Sequence, residues 1–154
     1  MDNNTKELFL NARGYDFFHN GKDASNGLKI SIAGKKIEDV FEIYDRLYNW
    51  LLSKGITFKI ATNKRVTIPN SEQSKKLLTI YVPNEYSDED FQNLLAEIET
   101  RLSGYKGWHD IKLPLNLYQV YSGGIQFRND RDENGEYIPA NRINEIIADE
   151  IKKL

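Results

Sequence analysis

Lysine, hydroxyl, tyrosine and arginine side chains recur at alternate positions in short segments of this sequence. Residues 28–33, 56–61 and 77–82 alternate between apolar and polar types, which is typical of β-strands with one buried face. Because successive side chains of a strand point to opposite faces of a sheet, the polar residues separate from the apolar ones. The polar set consists of Lys29, Ser31, Thr57, Lys59, Thr79 and Tyr81, joined by Gln126 and Arg128 if Ile125 and Phe127 face the core.

A surface that combines these side chains would attract an anion. Arginine binds phosphate or carboxylate through a planar fork of donors, and lysine binds it as a point charge. The pattern therefore predicts an anion site on one open face, with Lys29, Lys59 and Arg128 as its cations. A second interpretation stays open, in which these polar residues only keep the exposed side of a half-buried sheet soluble.

Two amphipathic helices separate the strands and would cover the apolar face. Apolar residues recur at helical spacing from Ile37 to Leu52, and Ser87 begins a second such pattern as a hydroxyl N-cap. The order of elements predicts an α+β fold: a single-domain sandwich of a mostly antiparallel sheet with helices packed on one face. We expect one domain over residues 1–154, made of an N-terminal extension at 1–26, a core at 27–131 and a C-terminal helix at 141–154.

Composition excludes several classes of function. The 154 residues include no cysteine, so disulfides, thiolate zinc sites and cysteine nucleophiles are absent. The 21 Lys+Arg and 23 Asp+Glu give a net charge of −2, which argues against a nucleic-acid binder. No apolar run approaches the ~20 residues that cross a bilayer, and the first residues lack a signal-peptide pattern. We therefore expect a cytoplasmic protein with neither nucleic acid nor membrane as partner.

The two histidines, His19 and His109, lie far apart and show no metal-ligand spacing. We expect neither a metal nor a cofactor. His109 follows Trp108 in a loop between Gly104 and Pro114, which makes it a candidate catalytic acid. The alternative is an ordinary solvated loop histidine.

Taken in order, the segments resemble the phosphothreonine lyase family, which includes type III secretion effectors that inactivate host MAP kinases and the N-terminal lyase domains of class III and IV lanthionine synthetases. The family pattern is a Lys-x-His-x-Ser strand, a long helix, an aromatic-Lys-Val step, a basic loop, a Thr-Leu-Tyr-Val strand, a second helix and an aromatic-Arg step. The similar pieces here are residues 29–33, 58–60, 79–82 and 127–129. The resemblance covers roughly residues 27–131.

The resemblance implies a metal-independent β-elimination on a phosphorylated peptide. In the family a lysine removes the Cα proton, a histidine protonates the departing phosphate, and a dehydroamino acid remains. By this resemblance Lys29 would be the base and Lys59 a second cationic contact. Tyr81 would contact the phosphate or enolate, and Arg128 would clamp the phosphate. A lysine base must be partly neutral, and neighbouring cations push its pKa in that direction.

The sequence departs from the family at Ser31, which stands in the place of the acid histidine. A hydroxyl is a poor acid near neutral pH, and losing a positioned acid costs ~10²–10⁴-fold in rate. In one interpretation His19 or His109 supplies the proton from a loop, and the protein is an active lyase, cytoplasmic or delivered into a host cell. In the other, the chain is a catalytically inactive module in which Ser31 only contacts the ligand. Such a module would bind a phosphopeptide, a nucleotide or a partner protein, for example as an inhibitor from a phage or mobile element.

Overall fold

The computed structural model describes residues 1–19, 25–69, 72–107, 119–129 and 134. The predicted C-terminal helix at 141–154 and the candidate acid His109 lie outside the described residues.

Helices and strands mix along the whole described chain. In order they are α1 (Asn3–Asn11), β1 (Asp16–His19), β2 (Ser25–Ala33), α2 (Ile37–Ser53), β3 (Thr57–Ala61), α3 (Asn63–Val66), β4 (Lys76–Pro83), α4 (Asp88–Arg101), β5 (Gln119–Ser122) and β6 (Ile125–Asn129), with a 3₁₀ turn at Glu72–Lys75 before β4.

All six described strands form one sheet in the order β1-β3-β4-β2-β6-β5. Each neighbouring pair is antiparallel. The predicted α+β class, with a mostly antiparallel sheet, is confirmed. β2 and β4 occupy the centre, so residues on them are flanked by a strand on either side.

The core lies between the sheet and the long helices, where the apolar periodicity places it. α2 begins beside Asp39, whose carboxylate accepts from the backbone N–H groups of Lys35 and Lys36 at 2.9 and 3.2 Å. α4 begins with a reciprocal pair of hydrogen bonds between Ser87 and Asp90, both 3.1 Å. The buried side chains of these helices and of the facing strands are Val40, Ile43, Leu47, Leu51, Phe91, Leu94, Leu95, Ile98, Ile30, Ile32, Phe58, Ile60, Leu78 and Ile80.

Two segments outside the predicted strands and long helices also carry regular structure. β1, within the predicted N-terminal extension, pairs with β3 at the edge of the sheet. The polar stretch after β3 begins with α3, whose N-cap residue Thr62 bonds to the chain ahead of β1. The Thr62 hydroxyl donates to the carbonyl of Gly14 at 2.6 Å, and the Thr62 N–H donates to the carbonyl of Tyr15 at 3.0 Å. Such long-range contacts leave no trace in local sequence periodicity.

Candidate functional site

The face of the sheet turned away from α2 and α4 carries the predicted polar residues in two adjacent rows. Each row crosses β3, β4, β2 and β6 in register. The first row is Thr57, Tyr81, Lys29 and Arg128, and the second is Lys59, Thr79, Ser31 and Gln126. The five ligand contacts expected from the sequence, Lys29, Ser31, Lys59, Tyr81 and Arg128, therefore lie on one face within two residues of each other along the strands.

Lys29 occupies the middle of the first row, on a central strand. Its direct cross-strand neighbours are Tyr81 on one side and Arg128 on the other. Its ammonium lies 5.3 Å from the centroid of the Tyr81 ring, within the range of a cation–π contact. Like charges directly opposite each other destabilise a sheet.

This face is not the open surface that strand alternation predicts. Ser31, Thr79, Gln126 and Tyr81 are buried, whereas Lys29 is half-buried. The alternation of polar residues predicts that these side chains point away from the helices. It does not predict how much solvent reaches them on the other face. Within the described part of the chain, the Ser31 hydroxyl makes no hydrogen bond. Leaving a buried hydroxyl without a partner costs about 1–3 kcal/mol, so the position of Ser31 is energetically unfavourable.

Lys59 lies at the sheet edge of the second row, against β1. Its ammonium is 5.7 Å from the centroid of the Phe18 ring and 3.8 Å from the Asp16 carboxylate. Burial lowers the pKa of Lys59 below the ordinary range for lysine, and Asp16 partly opposes that shift. Arg65, Lys76 and Lys29 add smaller shifts in the lowering direction. Lys59 is therefore a lysine of this face that burial pushes toward its neutral form.

An ion pair that the sequence prediction missed borders Lys59. Asp16 accepts two hydrogen bonds from Arg65, from Nε at 2.8 Å and from the terminal nitrogen at 2.7 Å. Asp16 and Phe18 share the polar face because they pair with Ala61 and Lys59 of β3, whereas the sequence Asp-Phe-Phe-His shows no polar–apolar alternation that predicts this. Arg65 lies on α3, and only the fold brings it to the carboxylate.

His19 lies on the helix side of the sheet and not on the face of Lys29. Its ring stacks on Phe58, with centroids 4.8 Å apart, and meets Tyr48 of α2 edge-on at the same separation. Burial lowers the pKa of His19. This position contradicts the expectation that His19 could protonate a leaving group beside Lys29. His109 lies outside the described residues and stays a prediction.

Two further properties follow from the described parts of the chain. Within them, no group of three or more His, Asp or Glu side chains is arranged to hold a metal ion. Among their helices, none is both long and apolar enough to cross a membrane.

No protein-family model and no curated protein sequence matches this chain. A solved structure, the Chromobacterium violaceum VirA (SpvC) phosphothreonine lyase effector protein, superposes with a TM-score of 0.56 at 19% identity, over 88% of this chain and 71% of that one. The fold is similar to that of a phosphothreonine lyase effector. A mutant of the Salmonella plasmid virulence C protein (SpvC) gives a TM-score of 0.50 at 15% identity, over 91% of this chain and 73% of that protein.

Proposed function

We propose that this chain is a phosphothreonine lyase-like protein that binds a phosphorylated peptide on its cationic sheet face. The observation that carries the proposal is the position of Lys29 directly between Tyr81 and Arg128, on the polar face of a sheet whose fold is similar to that of phosphothreonine lyase effectors. Lys29 and Arg128 supply charge and donors to the phosphate, and the buried Ser31 hydroxyl supplies a further donor.

The phosphate is the expected group because Arg128 offers a planar fork of donors and Lys29 a point charge, a combination that suits phosphate oxygens. Thr57, Tyr81, Lys29 and Arg128 include two positive charges and no negative one.

If the site turns over, the reaction is a β-elimination. A neutral lysine amine takes the Cα proton, the electron pair forms the Cα–Cβ double bond, and the Cβ–O bond breaks to release phosphate. The resemblance gives the base role to Lys29, whereas the lowered pKa of Lys59 favours Lys59 as the neutral amine. His109 is the proposed proton donor to the leaving phosphate.

A second candidate function is a binding module without turnover. Two observations favour it: Ser31 occupies the acid position on the site face, and His19 is on the other side of the sheet. Such a module would hold a phosphopeptide, a nucleotide or an acidic partner protein. Either function would be exercised in a cytoplasm, of the producing cell or of a host cell that receives the protein.

The test uses one peptide in three forms: phosphothreonine, phosphoserine and unphosphorylated threonine. Binding is measured by fluorescence anisotropy, and the products are examined by mass spectrometry for loss of the elements of phosphoric acid. We expect the phosphorylated forms to bind more tightly, and Lys29→Ala to weaken them by roughly tenfold or more, as removal of a charged hydrogen bond does. Glu97→Gln on α4 serves as a control.

The outcomes separate the candidates. Loss of phosphoric acid that disappears in His109→Asn indicates the lyase, and the variant Lys29→Met or Lys59→Met that abolishes it identifies the base. Phosphate-dependent binding without product indicates the module. Equal affinity for all three peptide forms would overturn the proposal.

A further inference from the structure

The start of β1 is fixed to the α3 segment by a dense set of contacts. The Thr62 hydroxyl and N–H bond to the carbonyls of Gly14 and Tyr15. The Lys64 ammonium donates to the carbonyl of Arg13 at 2.9 Å and lies 4.7 Å from the centroid of the Tyr15 ring. Asp16, which follows directly in the chain, is therefore held in one place relative to the site face.

The Asp16 carboxylate joins three elements of the fold. Its two oxygens accept parallel hydrogen bonds from Arg65 on α3, and one of them lies 3.8 Å from the Lys59 ammonium on β3. The Asp16 side chain is only 9% exposed and that of Arg65 only 13%. A paired, desolvated carboxylate of this kind acts on a neighbouring amine far more strongly than a surface carboxylate does.

We propose that Asp16 is a positioning residue of the site: by holding Arg65 in a bidentate pair beside Lys59, it fixes the Lys59 amine at the edge of the phosphate-binding rows and favours its charged form. This inference rests on the proposed function, because it assigns a role in that site to a residue that does not touch the ligand.

The charges that face Lys59 come from every strand and helix around it. Asp16 on β1 favours the charged amine, whereas Arg65 on α3, Lys76 on β4 and Lys29 on β2 disfavour it. Burial, partly behind the Phe18 ring, also disfavours it and has the largest effect. Among these groups of the described residues Asp16 is the acidic one, so its removal would leave the three cations Arg65, Lys76 and Lys29 unopposed within this set.

The experiment measures the reactivity of each lysine toward acetic anhydride at pH 8, by peptide mapping and mass spectrometry. Only the neutral amine reacts, so the rate reports the charge state of Lys59. In Asp16→Asn we expect Lys59 to react roughly three- to tenfold faster, since an opposite charge at 4–6 Å supports protonation strongly. In Arg65→Met we expect Lys59 to react more slowly, because Asp16 then pairs with Lys59 alone.

The opposite signs separate electrostatics from loosening of the fold. A variant that merely opens the structure relieves the burial of Lys59 and raises its pKa, so the neutral fraction falls whichever partner is removed. Slower reaction in an Arg65→Met protein whose near-ultraviolet circular dichroism matches that of the wild type supports the inference even if Asp16→Asn fails to fold, and unchanged or faster reaction there overturns it. Lys54, exposed at the end of α2, is the internal reference, and Glu97→Gln breaks a comparable carboxylate–arginine pair on α4 as the matched control.

The labelling needs no phosphopeptide, so its outcome is independent of the proposed function. If the phosphorylated peptides bind, Asp16→Asn has a second expected effect, on the pH dependence of peptide affinity. In the wild type this affinity falls at alkaline pH, where Lys59 loses its proton. In Asp16→Asn the fall should occur at lower pH, and Asp16→Glu should largely restore the wild-type profile. An unmoved profile in a folded Asp16→Asn protein contradicts the positioning role.

Discussion

Phe58 and Lys59 are consecutive residues on β3, and they lie on faces of the sheet with opposite character. Phe58 is fully buried on the helix side, where it contacts the rings of His19 and Tyr48. Lys59 points to the other face and retains 23% exposure beside Asp16. Both faces exclude much of the solvent, but one is filled by hydrocarbon and the other by charges and hydroxyls.

The two faces differ in role: the helix side stabilises the fold, and the site face is the candidate for binding. Apolar burial on the helix side contributes roughly 25 cal/mol per Å² removed from water. On the site face, burial works against the charged form of Lys59 and leaves the Ser31 hydroxyl without a partner in the described chain. Natural sequences keep such unfavourable arrangements mainly where a ligand uses them. We therefore expect substitutions on the two faces to differ in kind.

The largest expected effect compares Phe58→Ala with Lys59→Met in chemical denaturation. Phe58→Ala should lower the free energy of unfolding by about 3–5 kcal/mol, because it leaves a cavity in a packed core. Lys59→Met should change it by less than about 1 kcal/mol or raise it, because it removes a partly desolvated charge while Asp16 keeps Arg65. A loss of more than about 2 kcal/mol for Lys59→Met would show that the site face also holds the fold together.

The next largest effect is expected on phosphopeptide affinity, from a substitution of Arg128. Arg128→Lys keeps the charge but loses the planar fork of donors, so phosphopeptide affinity should fall by about tenfold, or ~1.4 kcal/mol. Arg101→Lys, on α4 of the helix side, is the matched substitution and should leave affinity unchanged. Titration calorimetry measures both variants. Equal affinity for wild type and Arg128→Lys would indicate that Arg128 contributes only charge.

The helix side could be predicted from the sequence because its signals are local and periodic. Spacing from Ile37 onward predicts α2, and the Ser87 cap marks the start of α4 at the observed residue. Period-two alternation places Phe58 and Ile80 inward, as observed. Each of these features depends on residues within a few positions of one another.

The site face could be predicted only in part, because its geometry depends on strand order. Alternation assigns Lys29 and Arg128 to one face, but only the register of β2 against β6 makes them direct neighbours. The pairing of Asp16 with Arg65 joins residues 49 positions apart through an edge strand with weak local signals. The burial of Ser31 likewise depends on tertiary packing, which the alternation of residue types along a strand does not predict.

A smaller effect is expected from Ser31→Ala, measured by thermal and denaturant unfolding. Removing a buried hydroxyl that lacks a partner should raise the free energy of unfolding by about 1 kcal/mol. The same substitution should weaken phosphopeptide binding by removing a donor. Thr62→Val is the contrast, because its hydroxyl donates to the carbonyls of Gly14 and Tyr15 and its loss should destabilise the fold. Destabilisation by Ser31→Ala would mean that this hydroxyl is structural.

The smallest effect concerns His19, the titrating group of the helix side. Burial lowers its pKa in the folded protein, so the unfolded chain takes up the proton first as the pH falls. The free energy of unfolding should therefore decline from about pH 6.5 downward, with a slope from this group of at most about 1.4 kcal/mol per pH unit. His19→Phe keeps a ring against Phe58 and Tyr48 and should remove that part of the slope. The two proteins differ at this residue alone, so the difference between their stability curves isolates His19. If the two curves stay parallel below pH 6.5, burial on the helix side does not govern the charge of His19, and the contrast with Lys59 would rest on the site face alone.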